Sequence, residues 1–375
     1  MRVFLSAADA SGDLHAAALV RALRERTGEL EVLGLGGEAL EAVGMRSLVP
    51  QREVAVGGLV EVLSSLPALL RAYTTLRRGL VRARPDVAVL VDSPDLNLPL
   101  AAVARRHAIP VFYYVAPQVW AWRMGRVRKL RRRVSCVGAI LPFEEELLRQ
   151  FGVPARFVGH PLVERMAALQ RESRPERLAC ELGLSPDRPI LSLLPGSRRN
   201  ELHGNLPVML QTARLLHRLQ PELQILLLVA PTLAGARLEL PACVRAVRGQ
   251  TQALMALSTC LLVAPGTATV EAALLGVPHV VVHRTNPLSF ELFRRLARVP
   301  STSLINLIAG MAIVPERIQE AARPAALAAL LAPLISDPDA RERMRTELRA
   351  ATRRLGPPDA SRRAAEAVLE VAKSG

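Results

Sequence analysis

Short apolar runs alternate along the chain with stretches in which apolar residues recur at helical spacing. In the first half, six runs have the length and composition of buried strands: Val3–Leu5, Val32–Leu35, Val87–Val91, Val111–Val115, Val137–Leu141 and Ala155–Val158. Helical stretches lie between most of them, notably Leu14–Arg26, Leu59–Arg82 and Leu98–His107. Strands that alternate with helices indicate βαβ units and hence a parallel sheet.

The alternation is interrupted by a charged stretch with scattered prolines and then resumes. The later predicted strands are Ile190–Leu194, Gln224–Ala230, Cys260–Ala264 and His279–His283, with helices near Asn205–Leu219, Thr251–Ser258 and Thr267–Leu275. We therefore predict an α/β protein of two Rossmann-like, doubly wound domains facing an interdomain cleft, where the carboxyl ends of the strands bind ligands. The predicted limits are 1–165 for the N-terminal domain, 166–188 for a linker, 189–345 for the C-terminal domain and 346–375 for a helical tail.

Length and composition fit a folded protein in a reducing compartment. Half of the 375 residues are apolar, which is enough for two cores. No apolar run approaches the ~20 residues of a transmembrane helix, and the N-terminus lacks the apolar region of a signal peptide. The four cysteines are scattered, which indicates neither disulfides nor a zinc site. We expect a protein of the reducing cytoplasm.

The chain is strongly basic. Its 49 Lys and Arg against 34 Asp and Glu give a formal net charge of +15. Such a charge favours phosphorylated partners, a class that includes nucleic acid, anionic lipid headgroups and nucleotide substrates. Charge narrows the class of partner and does not choose within it.

The loop after the first predicted strand contains Ser11, Gly12 and Asp13. Serine or aspartate can cap the free N–H groups of a helix, and glycine permits close approach to the backbone. Such a helix start can bind an anion or a sugar hydroxyl. A helix cap without any ligand is the alternative.

A second polar segment follows the predicted strand Val87–Val91 and contains Asp92, Asp95 and Asn97. Carboxylates at the carboxyl end of a buried strand suit acid–base chemistry or sugar binding. Asp95, which lies nearer the start of the next helix, is the predicted general base. A turn in which Asp95 or Asn97 caps that helix is the alternative.

The segment 113–123 holds both tryptophans and two of the three tyrosines of a chain that is only 3% aromatic. Aromatic residues and a guanidinium past the end of a strand are typical of a ligand site, although a core plug would have the same composition. Basic residues without any acid continue from Arg123 through Arg126 to Arg133. They predict either a solvated helix face or a contact with anionic lipid or a phosphorylated acceptor.

The predicted helix from Leu59 to Arg82 is amphipathic. Its apolar residues form one stripe, and its arginines lie largely off that stripe. A helix that faces the core has this pattern, and so does a helix that lies on a membrane or lines an acyl-chain groove.

Two segments of the second half predict anion binding. Gly196, Ser197 and Arg198 follow the first strand of that half and offer N–H groups, a hydroxyl and a guanidinium to a phosphate. The segment Gly266–Glu271 passes from a strand into a helix, whose start with Thr267 and Thr269 would hold a pyrophosphate. Glu271 could accept hydrogen bonds from ribose hydroxyls, while a plain capped helix is the alternative. Neither spacing is that of a nicotinamide fingerprint or a P-loop.

Taken together, these segments closely resemble the lipid-A-disaccharide synthases, inverting glycosyltransferases of the two-domain GT-B type, over nearly the whole chain. The matching segments are Ser11–Asp13, Glu61–Leu63, Pro94–Asn97, Pro117–Arg123, Leu141–Glu144, Val158–Leu162, Leu194–Arg198, Gly266–Glu271 and Val314–Glu316. The chain departs from the family pattern at a set of positions that puts the donor contacts and the acyl preference in question: Ala8, Asp9, Pro265, His283, Arg284, Ile305, Met311 and Ala312. At Asp9 the family has the longer acid glutamate.

The resemblance implies that UDP-2,3-diacylglucosamine donates its sugar, with inversion, to 2,3-diacylglucosamine 1-phosphate. The products would be a β-1,6-linked disaccharide 1-phosphate and UDP. It also implies a peripheral protein at the cytoplasmic face of the inner membrane, with no cofactor, no metal and no nucleic acid. The C-terminal helix would cross back, or swap between the protomers of a homodimer.

The resemblance also assigns roles to residues. Asp95 would take the proton of the acceptor hydroxyl, and Arg198 would stabilise the departing UDP. The expected UDP-sugar contacts are Ser11, Gly12, Asp13, Gly196, Ser197, Gly266, Thr267, Thr269 and Glu271. The expected acceptor or lipid contacts are Asn97, Gln118, Trp120, Trp122, Arg123 and Arg126.

Two rival functions are left open by the residues themselves. Another UDP-sugar enzyme of the same fold, such as an epimerase or a transferase with a non-acylated acceptor, would act without acyl chains. A binding protein for anionic lipid or nucleic acid would show strongly salt-dependent binding and release no UDP. The polar groups gather at strand ends, which favours an enzyme.

Overall fold

The chain divides into two compact units. The computed structural model describes residues 1–54, 59–116, 125–172, 174–233, 235–286, 290–291 and 301–374, with 59–66 described by their backbone alone. Unit 1 comprises Met1–Glu164 and Gly356–Gly375, and unit 2 comprises Arg165–Leu355. The chain therefore leaves unit 1 once and returns to it at its C-terminal end.

Unit 1 is built on a parallel sheet that has, within the described ranges, seven strands in the order β3-β2-β1-β4-β5-β6-β7. The strands are β1 (Arg2–Ala7), β2 (Glu31–Gly36), β3 (Arg46–Pro50), β4 (Val87–Val91), β5 (Val111–Tyr114), β6 (Cys136–Ala139) and β7 (Ala155–Phe157). All five residues of β4 are buried, because helices cover both faces of a parallel sheet.

The helices of unit 1 lie on both faces of this sheet. They are α1 (Ala10–Arg24), α2 (Glu38–Ala42), α3 (Leu59–Ala83), α4 (Pro94–Arg106), α5 (Gly125–Arg133) and α6 (Glu144–Gln150); α7 (Pro161–Glu172) leads into unit 2. Buried residues of α3, α4 and α5 share one core with the sheet. Buried residues of α1 share the core on the opposite face.

The last helix, α15 (Ala360–Lys373), returns to unit 1, so the predicted crossing back is confirmed. It packs against α1, and its buried Ala364 and Val368 join the core beneath that helix. The carboxylate of Glu164 accepts hydrogen bonds from the backbone N–H of Ser361 at 3.0 Å and from its hydroxyl at 2.5 Å. These bonds fix the start of α15.

Unit 2 repeats the architecture. Its described strands form a six-stranded parallel sheet in the order β10-β9-β8-β11-β12-β13. The strands are β8 (Ile190–Leu194), β9 (Gln224–Val229), β10 (Val244–Arg248), β11 (Cys260–Val263), β12 (His279–His283) and β13 (Glu316–Ile318). The helices are α8 (Pro175–Glu181), α9 (Arg199–Leu219), α10 (Thr251–Leu257), α11 (Thr267–Leu274), α12 (Leu304–Ala309), α13 (Pro324–Ser336) and α14 (Pro338–Arg353).

The predicted pair of doubly wound α/β domains is therefore confirmed, with two kinds of local difference. The sequence analysis did not predict three strands, because none of them is an apolar run. They lie at sheet edges and are β3, β10 and β13. Three helices begin about a turn or more before their predicted starts, at Ala10, Pro94 and Arg199. In each case polar residues that were expected in a loop form the first turn of the helix.

In each sheet the strand order reverses beside its first strand, between β1 and β4 in unit 1 and between β8 and β11 in unit 2. In open α/β sheets, ligands bind outside the carboxyl ends of the strands at such a switch point. The loops after these four strands are therefore the expected ligand-binding positions.

Candidate active site

The switch point of unit 1 brings the loops after β1 and β4 together. The two strands pair in register up to Ala7 and Val91, so Asp9 and Asp92 follow from adjacent strand ends. Asp92 and Ser93 both have positive φ, at 45° and 42°. Two consecutive non-glycine residues in this region are uncommon, and such strain concentrates at functional sites.

Neighbouring side chains hold this strained segment in place. The amide of Asn97 donates to the carbonyls of Val91 and Asp92, at 2.9 Å in each case. The hydroxyl of Tyr113 donates to the same Asp92 carbonyl at 2.5 Å. Asn97 was predicted to contact the acceptor, but its side chain is fully buried here and supports the backbone of Asp92.

The carboxyl group of Asp92 has an altered proton affinity. Burial, and then the negative charge of Asp9, raise the pKa of the Asp92 carboxyl from 3.8 to about 6. A hydrogen bond from the Ser93 backbone and the positive charge of Arg126 act in the opposite direction. A carboxyl group that titrates near neutrality suits a general base.

Asp95, the predicted base, occupies a different environment. It lies in the first turn of α4, and its side chain is 86% exposed. Its carboxylate pairs at 2.5 Å with Arg126 of α5, whose side chain is 16% exposed. The structure thus brings Asp95 and Arg126 together. The other predicted acceptor contacts, Gln118, Trp120, Trp122 and Arg123, lie outside the described residues.

The start of α1 is capped by Asp9, which is one turn before the predicted start at Leu14. The Asp9 carboxylate accepts from the Gly12 backbone N–H at 2.7 Å, and the Ser93 hydroxyl donates to its other oxygen at 3.4 Å. Ser11 is exposed in the first turn and lies 3.3 Å from His15 Nε2. Ser11 and Gly12 therefore lie beside the Asp9–Asp92 cluster.

Asp13 faces away from that loop and binds backbone. Its carboxylate accepts from the N–H groups of Gly37 at 2.7 Å, Ala39 at 3.0 Å and Leu40 at 3.3 Å, which are the free donors at the start of α2. The residue is 5% exposed. Asp13, which was predicted to contact the UDP-sugar, is engaged in holding α2 against α1.

Two further acids of the motif segments also bind backbone N–H groups of their own unit. Glu144 accepts from the N–H groups of Ile140 at 3.2 Å and Leu141 at 3.1 Å. Glu316 accepts from the backbone N–H of Thr302 at 2.9 Å and from the side-chain amide of Asn306 at 2.7 Å. Although burial raises the pKa of Glu316, its hydrogen bonds outweigh that effect and hold the pKa below its usual value.

Replacing Asp13 should therefore reduce stability. Asp13→Asn removes the charge that three backbone N–H groups share, and we expect it to lower the free energy of unfolding by about 2–3 kcal/mol. Urea unfolding measures this value. Glu25→Gln, at a side chain that is 75% exposed, is the control and should change it by less than about 0.5 kcal/mol. Unchanged stability with a raised KM for donor would instead make Asp13 a ligand contact.

The switch point of unit 2 begins with the loop after β8. Gly196 has φ 115°, and a Cβ there would lie 2.3 Å from a Glu201 carboxylate oxygen. Both the backbone angle and the lack of space therefore require glycine. Glu201 accepts from the N–H groups of Ser197 at 2.9 Å and Arg198 at 3.2 Å. The Arg198 side chain is 80% exposed, and its guanidinium lies 3.6 Å from a Glu201 carboxylate oxygen. Its guanidinium can therefore reach an anion beside this loop.

The loop after β11 leads directly into α11. Gly266 has φ 120°, and Gly266 and Thr267 are exposed at the helix start. Thr269 was predicted to hold pyrophosphate, but it is fully buried, and its hydroxyl donates to the Gly266 carbonyl at 2.8 Å. The exposed helix start suits an anion.

Glu271 lies one turn further along α11. Its carboxylate accepts from the Gln252 amide at 3.2 Å. Burial raises its pKa, against the opposing effects of that bond and of Arg165. A mostly apolar cavity of about 320 Å³ adjoins this pair and is lined by Met166, Leu169, Gln170, Glu172, Pro175, Gln250, Gln252, Ala253, Ala256 and Leu275.

The described part of the chain has neither a candidate metal cluster nor a candidate membrane-spanning helix. Within those ranges there is no group of three or more His, Cys, Asp or Glu side chains that could hold a metal ion. No helix among the same residues is both long and apolar enough to cross a bilayer.

Solved structures share this fold. The UDP-GlcNAc 2-epimerase of Neisseria meningitidis bound to UDP-GlcNAc superposes with a TM-score of 0.69 at 15% identity, over 99% of this chain and 100% of that one. The calicheamicin glycosyltransferase CalG4 superposes with a TM-score of 0.60 at 16% identity, over 98% of each chain. At these identities the similarity shows the fold, which is that of GT-B glycosyltransferases and epimerases.

Sequence relatives are closer. The lipid-A-disaccharide synthase of Geobacter sulfurreducens is 38% identical over 99% of this chain and 97% of its own length. Those of Syntrophus aciditrophicus and Chromobacterium violaceum are each 41% identical, over 99% and 100% of this chain and 98% of their own lengths. The family model described as Lipid-A-disaccharide synthetase matches residues 3–371. The chain therefore belongs to the lipid-A-disaccharide synthetase family and is a glycosyltransferase of lipid A biosynthesis.

Proposed function

We propose that this enzyme transfers 2,3-diacylglucosamine from its UDP derivative to the 6-hydroxyl of 2,3-diacylglucosamine 1-phosphate. The anomeric carbon is inverted, and UDP leaves. The observation that carries the proposal is the pair of switch points. One has a partly buried carboxyl group of raised pKa, and the other has an exposed helix start beside an exposed guanidinium. The first suits the removal of a proton, and the second suits a departing diphosphate.

In this reaction the acceptor hydroxyl must lose its proton as it attacks. Asp95 is the base that sequence reasoning selects, but its exposed carboxylate is paired with Arg126. Asp92 is more buried, is held in a strained backbone and has a pKa of about 6. We therefore assign proton removal to Asp92. The Asp95–Arg126 pair then orients the polar part of the acceptor.

In unit 2 the diphosphate binds at the start of α11 with Arg198. Positive charge and helix N–H groups stabilise the negative charge that develops on UDP as the glycosidic bond breaks. Glu271 accepts hydrogen bonds from the ribose. The adjacent cavity, with glutamine amides along an apolar wall, accommodates the nucleoside end.

The acylated substrates require the enzyme to meet a membrane surface, and we place it at the cytoplasmic face of the inner membrane. Helices α3, α4 and α5 share one face of unit 1. On this face Leu70 is 57% exposed, and α5 exposes four cations without any acid in its sequence: Arg128, Lys129, Arg131 and Arg132. Each such cation contributes about 1 kcal/mol at an anionic surface.

Removing these four charges should weaken membrane binding. With all four changed to glutamine, we expect at least about a tenfold loss of affinity for vesicles that contain anionic phosphatidylglycerol. Co-sedimentation measures the affinity. The control removes four exposed arginines of unit 2, namely Arg214, Arg218, Arg349 and Arg353, and should bind as the parent does. An equal loss in both variants would show that only net charge matters and would refute a membrane-facing α5.

The test of the reaction is the dependence of UDP release on both substrates. We expect UDP to appear only when the acylated donor and the acylated acceptor are both present. UDP release from the donor alone would indicate a hydrolase. Conversion of a UDP-sugar to its 2-epimer, with no need for an acceptor, would indicate the epimerase chemistry that shares this fold.

A further inference from the structure

We propose that Asp9 is a positioning residue, which holds the Asp92 segment in place and sets how readily Asp92 takes up a proton. This inference rests on the proposed role of Asp92.

The register of the sheet places the two acids side by side. Ala7 of β1 pairs with Val91 of β4. Asp9 lies two residues after Ala7, and Asp92 directly follows Val91. Gly12 packs against the same strand end, since a Cβ there would lie 3.4 Å from the Val91 side chain and 3.5 Å from an Asp9 oxygen. The carboxylate of Asp9 is thus confined between α1 and the end of β4.

Each Asp9 oxygen has its own partner. One accepts from the Gly12 N–H at 2.7 Å and caps α1. The other accepts from the Ser93 hydroxyl at 3.4 Å, and Ser93 is the second residue of the left-handed segment. Asp9 therefore ties the start of α1 to the backbone that carries Asp92. The cap keeps Asp9 near Asp92 whether or not a substrate is bound.

Three charged groups and one neutral phenol near Asp92 belong to four separate elements. Asp9 caps α1, Arg126 belongs to α5, Asp95 lies in α4, and the buried phenol of Tyr113 lies on β5. After burial, the charge of Asp9 is the largest influence that raises the pKa of Asp92, while Arg126 lowers it. Removing the negative charge of Asp9 should therefore let Asp92 lose its proton at lower pH.

Asp9→Asn is the decisive variant, because asparagine caps a helix about as well as aspartate does. The acid limb of the profile of kcat/KM against pH should move to lower pH by about half a unit or more. Asp9→Glu, which keeps the charge, should retain the limb of the parent. Glu25→Gln, which removes a negative charge from a side chain that is 75% exposed, should leave the limb in place.

A second readout does not depend on activity. The difference in unfolding free energy between the parent and Asp92→Asn, measured against pH, locates the proton uptake of Asp92 in the folded state. The unfolding free energies of Asp9→Asn and of the double variant Asp9→Asn, Asp92→Asn should differ in the same way. This difference should change with pH over a lower pH range than in the parent. If both ranges coincide and the acid limb does not move, Asp9 is only a helix cap and the inference is wrong. If Asp92→Asn leaves the acid limb of the parent intact, the proposed role of Asp92 fails instead.

Discussion

Asp92→Asn should reduce kcat by about 10²–10⁴-fold, which is the usual contribution of a positioned general base. Asparagine tolerates the positive φ of 45° at this position, so the fold should be retained. In the parent, activity should fall as the pH drops through about 6, because the base must be ionised. Steady-state kinetics between pH 5 and 8 measure both effects.

The same substitution should not reduce stability near neutral pH. The folded state raises the Asp92 pKa from 3.8 to about 6, so folding is weakened as the pH rises through that window. Asparagine carries no charge and avoids this loss. At pH 8 the melting temperature of Asp92→Asn should therefore equal or exceed that of the parent.

Asp95→Asn is the matched control for the assignment of the base. It removes an exposed carboxylate three residues away and breaks the pair with Arg126. We expect it mainly to raise KM for the acceptor. A loss of kcat in Asp95→Asn larger than that in Asp92→Asn would return the role of base to Asp95.

Arg198→Ala should lower kcat/KM by about 10²–10³-fold, because a donor that stabilises transition-state charge commonly contributes that much. Stability should change little, since the side chain is 80% exposed. Alanine loses the exposed pair of the guanidinium with Glu201 at 3.6 Å. It keeps the bonds from the backbone N–H groups of Ser197 and Arg198 to Glu201. Inhibition by UDP should weaken in parallel.

Arg199→Ala is the control for this prediction. Arg199 is an exposed arginine one residue further along, in the first turn of α9. Its loss removes the same net charge, and we expect activity within about twofold of the parent. Equal losses in the two variants would point to general electrostatic attraction of the donor and not to a specific contact by Arg198.

The sequence predicted the architecture well because the central strands are unbroken apolar runs. In β4 and in β8 every residue is buried, so composition alone identifies them. The edge strand β10 was missed because Arg245 and Arg248 interrupt its apolar residues, as an exposed edge permits. The start of α1 was misplaced because its cap, Asp9, bonds Gly12 within an Ala-Ser-Gly-Asp segment that resembles a loop.

The candidate site was predicted less completely, because roles depend on burial and on backbone angles. Asp92 and Asp95 are carboxylates of the same short segment. In the structure Asp92 has a strained backbone and is partly buried, whereas Asp95 is exposed. Asp13 and Thr269 were ligand candidates because of their polar side chains. In the structure, the side-chain oxygen of each bonds to the backbone of its own unit. Asp92 directly follows a buried strand, and this position was the sequence signal that could have identified it as the candidate base.

The central claim, inverting transfer between two acylated sugars, is tested most directly by the structure of the product. The enzyme is incubated with UDP-2,3-diacylglucosamine and 2,3-diacylglucosamine 1-phosphate, and the lipid product is analysed by mass spectrometry and proton NMR. We predict a tetraacyl disaccharide 1-phosphate in which the new linkage joins C1 to the acceptor O6 and has the β configuration. An α-linked product, or UDP release without a disaccharide, would contradict the account.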